Sequence, residues 1–308
     1  MKRLSGLIEE SKQASSEDFL CLIDDADRII SDELKGLGNI RITGRLVHLP
    51  PRGEAIIVGD IHGDLKSLEY ILGESGFIEK ALKKEEIHII FLGDYGDRGF
   101  RSPEVYYIVL SLKVLFPERV VLLQGNHEGP TDLLAYPHDL PYHLQIRFKE
   151  DWRSIYKALS NLFRKFHTAV IVDGKFLMLH GGVPSKARGI DDLAYAYQKH
   201  PFESHLEEIL WSDPAEGIRG TLPSPRGAGR LFGEDVTSAF LSMLGVKFLV
   251  RGHEPAMDGY MISHGGKILT LFSRKGSPYR NRHGAYLTLN LSRDFDSAWQ
   301  LERFIQKF

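Results

Sequence analysis

Three times between residues 55 and 130 the chain passes through a short, mostly apolar run and halts at a glycine followed by a polar residue. Ala55-Ile56-Ile57-Val58 leads into Gly59-Asp60, the run 87–92 into Gly93-Asp94, and the run 120–123 into Gln124-Gly125-Asn126. Apolar runs without alternation suit strands buried on both faces. After the first of them, Leu65, Leu68, Ile71 and Leu72 recur at helical spacing. Pro103, suited to a first turn, predicts the start of a second helix. This rhythm predicts strands alternating with helices, with the strand ends and their polar loops gathered along one edge.

The second half reads differently. Runs 169–172 and 176–179 flank Asp173-Gly174 and predict a hairpin closed by a type I′ turn. Further apolar runs lie at 248–250, 268–272 and 285–290, with a helix near 235–244. The expected class is α/β (α+β): two packed sheets forming a β-sandwich flanked by helices. Residues 1–54 are expected to be a helical extension packed on a core of 55–308. Ser15 or Ser16 caps a helix carrying Phe19, Leu20, Ile23, Ala26 and Ile30, Gly36 stops it, and Pro50 to Gly53 is a connector.

Composition removes several function classes. Lys+Arg 39 against Asp+Glu 41 leave a net charge of -2 in 308 residues, so no basic bias favours nucleic acid or an anionic membrane. The lone Cys21 excludes an internal disulfide and a cysteine zinc site. No apolar run approaches the roughly 20 residues of a membrane helix, and the N-terminus lacks an apolar signal core. A cytoplasmic location is the expectation.

The polar loops carry the chemistry. They read Gly59-Asp60-Ile61-His62-Gly63-Asp64, Gly93-Asp94-Tyr95-Gly96-Asp97-Arg98-Gly99 and Gly125-Asn126-His127-Glu128; His180-Gly181-Gly182 and Arg251-Gly252-His253-Glu254 end two later runs. One such loop alone reads as a turn or a helix cap. Three of them, joined by two glycine-flanked histidines, outweigh that reading. Asp60, His62, Asp94, Asn126, His180 and His253 mix oxygen and imidazole donors, which suits Mn²⁺, Fe²⁺, Co²⁺ or Zn²⁺ better than Ca²⁺. Six donors exceed one open four-coordinate site; two cations sharing a carboxylate use them economically.

These blocks, in this order, resemble the metallophosphoesterases, and among them the serine/threonine phosphoprotein phosphatases, with a prokaryotic or archaeal type as one option. The resemblance spans 55–290 and extends to Trp211-Ser212-Asp213-Pro214, Asp258-Gly259-Tyr260 and Leu271-Phe272-Ser273. It implies two divalent ions, Mn²⁺ first among the candidates, with Asp60 and His62 on one, Asn126, His180 and His253 on the other, and Asp94 bridging. It implies attack on phosphorus by a metal-bridging hydroxide, without a phosphoenzyme. Arg98 and Arg226 resemble the phosphate-gripping arginines, and His127 the acid for the leaving group, oriented by Asp97. Phosphoproteins would be the substrates, and regulatory proteins the potential partners.

Departures from the family text fall on substrate recognition. Asp64 stands where Gln or Asn is usual, Gly96 where Val is usual, and Arg274-Lys275-Gly276-Ser277-Pro278-Tyr279 replaces a shorter segment, with Tyr279 as the candidate hydroxyl. The basic residues Arg274, Lys275, Arg280 and Arg282 read as a solvated loop, with a substrate-facing role as the lesser alternative. Glu128 and Glu254 are expected to support neighbouring histidines, and His138 to be an ordinary surface or core residue. Two rival functions remain: a diadenosine tetraphosphatase-like or other small-molecule phosphoesterase, and a non-catalytic scaffold, which would have lost a ligand or the Asp–His pair.

Overall fold

In the computed structural model, which describes residues 4–308, the chain opens with α1 (Leu4–Gln13) and α2 (Ser16–Leu34). Ser15 caps α2 in a reciprocal capping box with Asp18, so the cap read from sequence is present. A short hairpin comes next, β1 (Arg41–Thr43) and β2 (Leu46–His48), and then β3 (Glu54–Val58). The chain continues with α3 (Leu65–Ser75), capped by Asp64, then α4 (Phe77–Leu82), β4 (Ile87–Phe91), α5 (Ser102–Leu115) and β5 (Val120–Leu122). Helices α6 (Leu140–Phe148) and α7 (Trp152–Phe163) precede the hairpin β6 (Ala169–Val172) and β7 (Phe176–Leu179). The remaining strands are β8 (Asp213–Pro214), β9 (Thr221–Pro223), β10 (Arg230–Phe232), β11 (Phe248–Arg251), β12 (Tyr260–Ser263), β13 (Ile268–Leu271), β14 (Ala285–Asn290) and β15 (Ile305–Lys307).

Two sheets form the sandwich. One has the order β15-β14-β3-β4-β5, with β3, β4 and β5 parallel. The other has the order β1-β2-β6-β7-β11-β13-β12, with β7, β11 and β13 parallel. A third, three-stranded sheet of β8, β10 and β9 lies beside them. Alternate residues of the central strands face opposite layers. Ala55, Ile57, Ile90 and Val121 meet Val170, Met178, Phe248 and Val250 between the sheets. Ile56, Val58, Ile89 and Phe91 meet Phe19, Ile23, Leu68 and Val109 of the helices. Burial on both faces is why these runs read as continuously apolar.

The structure differs from the sequence reading in two places. Residues 41–48 are not helical: β2 pairs in parallel with β6, so the N-terminal segment extends the seven-stranded sheet. That pairing partner lies more than a hundred residues away, beyond the reach of local periodicity. The β6–β7 hairpin has a three-residue loop, with Val172 paired to Phe176, and only Gly174 has positive φ. A type I′ turn needs positive φ at both central residues, so the turn is not of that type. No helix among the described residues is long and apolar enough to cross a membrane.

Candidate active site

The loops after β3, β4 and β5 and those after β7 and β11 converge at one end of the sandwich. Their backbone is strained where the side chains meet: His62, Asp94, Asp97, Arg98 and His253 all have positive φ, between 45° and 71°. Non-glycine residues reach that region only where the surroundings over-determine it, and they concentrate at functional sites. Two glycines make room: a Cβ on Gly125 or on Gly252 would collide with the carboxylates of Asp94 and Asp60 respectively.

The structure brings Asp60, His62, Asp94, Asn126, His180 and His253 into one buried cluster. Asp94 stands in its middle, with Oδ2 3.5 Å from His62 Nε2 and Oδ1 3.5 Å from His180 Nε2. Asp60 Oδ2 lies 3.7 Å from His62 Nε2. His62 Nδ1 donates to the Gly96 carbonyl and His180 Nδ1 to the Leu92 carbonyl, each at 2.9 Å, so both Nε2 atoms offer lone pairs. Burial first, then neighbouring positive charge, holds His62, His180 and His253 well below the usual imidazole range. Burial pushes the Asp60 carboxyl up to about 7; burial first, then the charge of Asp60, holds Asp94 well above the usual carboxylate range.

The donor set fits cations. Asn126 Oδ1 lies 3.1 Å from His180 Nε2 and 3.2 Å from His253 Nδ1, acceptor facing acceptor. Turned over, the amide would offer two N–H groups to four acceptors, because both Asp94 oxygens also lie within 3.2 Å. Neither orientation satisfies the set. Asp60 Oδ2 and His253 Nε2 are buried and lack a hydrogen-bond partner among the described residues. Ligand atoms of His62, Asp94 and His127 lie within 4.8 Å of one another, and so do those of Asp94, His180 and His253. A positive ion among such donors converts lone-pair repulsion into coordination.

Beside this cluster lies a cleft of about 810 Å³ lined by Arg98, His127, Tyr136, Trp211, Arg226 and Tyr279 and, of the cluster, by His62, Asp94, Asn126 and His253. His127 Nδ1 lies 2.5 Å from Asp97 Oδ2. Burial alone would raise the Asp97 carboxyl, but hydrogen bonds from His127 and His138 hold it well below the carboxylate range. The Arg98 guanidinium donates to the Pro137 and Tyr136 carbonyls at 3.1 and 3.4 Å. Arg226 Nε donates to Asp213 at 2.6 Å. The phenol ring of Tyr279 stacks on His62, with centroids 5.5 Å apart. A second cleft, about 750 Å³ and lined by His48, Arg52, His88 and Arg119, sits at the opposite ends of β3 and β4 and shares none of these residues.

Several supporting roles differ from the sequence reading. Glu128 does not hold a histidine: its carboxylate accepts from the backbone N–H of Asp94, Tyr95 and Gly125 and from the Tyr106 hydroxyl. It therefore pins the strained Asp94 loop. Glu254 pairs with Arg251 at 2.5 Å. Arg274 is buried rather than solvated, and its guanidinium donates to the carbonyls of His62 and Ser277. His138, read as unremarkable, donates Nδ1 to Asp97 at 2.8 Å. Asp213 accepts from both Arg251 and Arg226 and faces His253 Nε2 at 3.8 Å. For Asp213 the Trp-Ser-Asp-Pro text was a signal; for His138 nothing local distinguishes it.

Comparison with known proteins agrees with this geometry. The calcineurin-like phosphoesterase family matches residues 55–257. A "probable serine/threonine-protein phosphatase" of Encephalitozoon cuniculi is 39% identical over 251 residues, which is 80% of this chain and 52% of that one. The chain thus spans about half the length of that relative. A protein phosphatase 2A catalytic subunit from Dictyostelium discoideum is 31% identical over 259 residues, covering 83% of this chain and 78% of that one. Among solved structures, a protein serine/threonine phosphatase from Saccharomyces cerevisiae superposes with a TM-score of 0.74 at 23% identity, covering 95% of this chain and 89% of that one. A cold-active protein-tyrosine phosphatase of a Shewanella species reaches 0.56 at 18% identity over 82% of this chain and 79% of that one. At these identities the structural likenesses establish the fold alone.

Proposed function

The chain belongs to the calcineurin-like phosphoesterase family and, within it, to the phosphoprotein phosphatases; from that membership we propose that it hydrolyses phosphoserine and phosphothreonine monoesters in proteins. The observation that carries the reading is the central Asp94 carboxylate, flanked on its two oxygens by His62 and His180. Asp60, His62 and Asp94 would hold one divalent cation, and Asp94, Asn126, His180 and His253 the other, with Mn²⁺ as the proposed metal. Such cations supply a nucleophilic water at neutral pH and offset charge on the phosphoryl group.

The chain's own residues do the rest. Arg98 and Arg226 both line the cleft, and their planar forks suit phosphate oxygens. In the doubly protonated form of His127, Asp97 holds Nδ1–H and Nε2 carries the second proton, offered at the cleft. As the ester P–O bond breaks, the leaving alkoxide takes that Nε2 proton. Tyr279 forms part of the wall over His62 and offers its hydroxyl to the bound ester.

The deciding experiment is phosphate release from phosphoserine and phosphothreonine peptides, set beside phosphotyrosine peptides and dinucleoside polyphosphates. The expected result is preference for the first two. Preference for nucleotides by several decades would transfer the chain to the small-molecule hydrolases. No turnover with any of them, at full metal occupancy, would indicate a non-catalytic scaffold.

A further inference from the structure

We propose that His138 is a positioning residue of this site: it holds Asp97, and through Asp97 the ring of His127, in the orientation that protonates the leaving group. The proposal rests on the general-acid reading of His127 given above. Its basis is the way Asp97 is satisfied. Oδ2 accepts from His127 Nδ1 at 2.5 Å and from His138 Nδ1 at 2.8 Å. Oδ1 accepts the backbone N–H of Asp139 at 2.8 Å and of Leu140 at 2.6 Å. A carboxylate offers about four lone-pair sites, and all four are taken.

Three of the four donors therefore come from one tripeptide, His138-Asp139-Leu140, at the entry to α6. The same segment holds the next residue. Arg98 donates its backbone N–H to Asp139 Oδ2 at 3.2 Å and its guanidinium to the carbonyls of Tyr136 and Pro137. Asp97 and Arg98 have φ of 62° and 64°, a conformation that costs free energy unless something outside the loop imposes it. Residues 136–140 are that template. His138 is itself braced: its Nε2 lies 3.0 Å from the hydroxyl of Tyr156 on α7, and its ring packs on that tyrosine with centroids 5.6 Å apart.

The consequence is geometric. A carboxylate bound on three sides cannot rotate, so its remaining lone pair fixes the plane of the His127 ring. Without the His138 bond, Asp97 Oδ2 can swing, and His127 Nε2 loses its fixed aim at the leaving oxygen. Removal of one such bond should cost about tenfold in the step it serves. That loss should appear only where the leaving group needs a proton.

The test compares His138→Phe and His138→Gln, each loaded with Mn²⁺, on a phosphoserine peptide and on p-nitrophenyl phosphate, whose leaving group departs without a proton. Metal content and melting temperature are measured alongside. For His138→Phe the expected result is a kcat loss of about tenfold on the peptide, little change in KM, and a loss under about threefold on the aryl ester. His138→Gln, which keeps an N–H donor, should recover most of the peptide rate. Added to His127→Ala, His138→Phe should cost nothing further, because both act through one group. Equal losses on the two esters, an additive loss on top of His127→Ala, or an unchanged peptide rate would each overturn the proposal. If His127→Ala itself fails to separate the two esters, the general-acid reading falls. If it separates them and His138→Phe does not, only the positioning role falls.

Discussion

Two regions of this molecule bury histidines and carboxylates in the same apolar surroundings, and they solve the problem of charge in opposite ways. Between α2, α5 and the segment leading into β6, Lys113 donates its ammonium to Glu33 Oε1 at 2.6 Å and to the carbonyls of Pro117 and Val120 at 2.9 Å. His167 faces the other Glu33 oxygen at 3.6 Å. Every proton of that ammonium has an acceptor, and none of the three residues has positive φ. At the catalytic end, Asp60 and Asp94 lie together with three neutral histidines and an amide whose oxygen faces only lone pairs. No lysine or arginine among the described residues hydrogen-bonds to either carboxylate. A buried acid compensated by the chain's own cation is architecture; one left uncompensated, on strained backbone, is a place for an external ion.

The largest expected effects separate the two. Asp94→Ala should lose both metals and bring turnover to background, with metal content read by elemental analysis and the fold by circular dichroism. Lys113→Met should do the reverse. It strands a buried carboxylate, so unfolding should become easier by about 3–5 kcal/mol, while kcat per folded, metal-loaded molecule stays near wild type. Retained metal in the first variant, or retained stability in the second, would break the distinction. Chelation comes next: it should abolish activity and lower the melting temperature, and added Mn²⁺ should restore both. A phosphoenzyme accumulating in a metal-free sample would contradict the scheme.

The same contrast explains what could be read from the sequence. Asp60, His62, Asp94, Asn126, His180 and His253 were legible because each lies within a few residues of the end of an apolar run and sits beside glycine, so chemistry and local structure coincide. The strands β3, β4, β5, β11, β13 and β14 were legible for the same reason. The strands β1 and β2 were not: their pairing is with β6, and sequence periodicity is silent about partners so far away. Glu33, Lys113, His167 and His138 are isolated letters in helices and loops, and only tertiary packing gives them a function. Tyr279 lies between the two cases. Its hydroxyl was expected at the site, but it reaches His62 because buried Arg274 ties the two loops together and Asn281 donates to the Arg274 and His283 carbonyls.

Smaller in size is the effect of Arg226→Ala. Its Nε is already spent on Asp213, so what the cleft loses is one charge-assisted contact to phosphate. The expected outcome is a raised KM and a kcat/KM for phosphopeptides lower by about one to two decades, with metal content unchanged. Loss of metal in this variant would show instead that Arg226 acts through Asp213 and His253.

Proton linkage gives the finest discrimination, because the two regions should respond to pH with opposite signs. Burial raises the Asp60 carboxyl to about 7 in the folded chain, against about 3.9 unfolded. Its contribution to stability is therefore fully present below pH ~3.9 and is lost as pH rises through the folded value. A bound cation favours the ionised carboxylate and removes that loss. The melting-temperature gap between Mn²⁺-loaded and chelated protein should thus widen as pH rises from about 5 to about 7.5. Burial first, with the charges of Lys113 and Arg45 added, pushes His167 below the ordinary imidazole range, and Glu33 opposes them only in part. An unfolded chain takes up that proton near pH ~6.5 and the folded chain does not. Stability from His167 is therefore complete above pH ~6.5 and falls as pH drops toward the folded value. His167→Asn should flatten that acid-side decline by the same amount in loaded and chelated protein, since its partners are Glu33 and the backbone of Leu122 and Gln124 rather than the residues proposed to hold metal. A change in slope that depended on Mn²⁺ would mean that the two regions are coupled through the strand and loop from Leu122 to Asn126. The route for such coupling is Gln124, which donates its backbone N–H to the His167 carbonyl at 2.8 Å, two residues before Asn126.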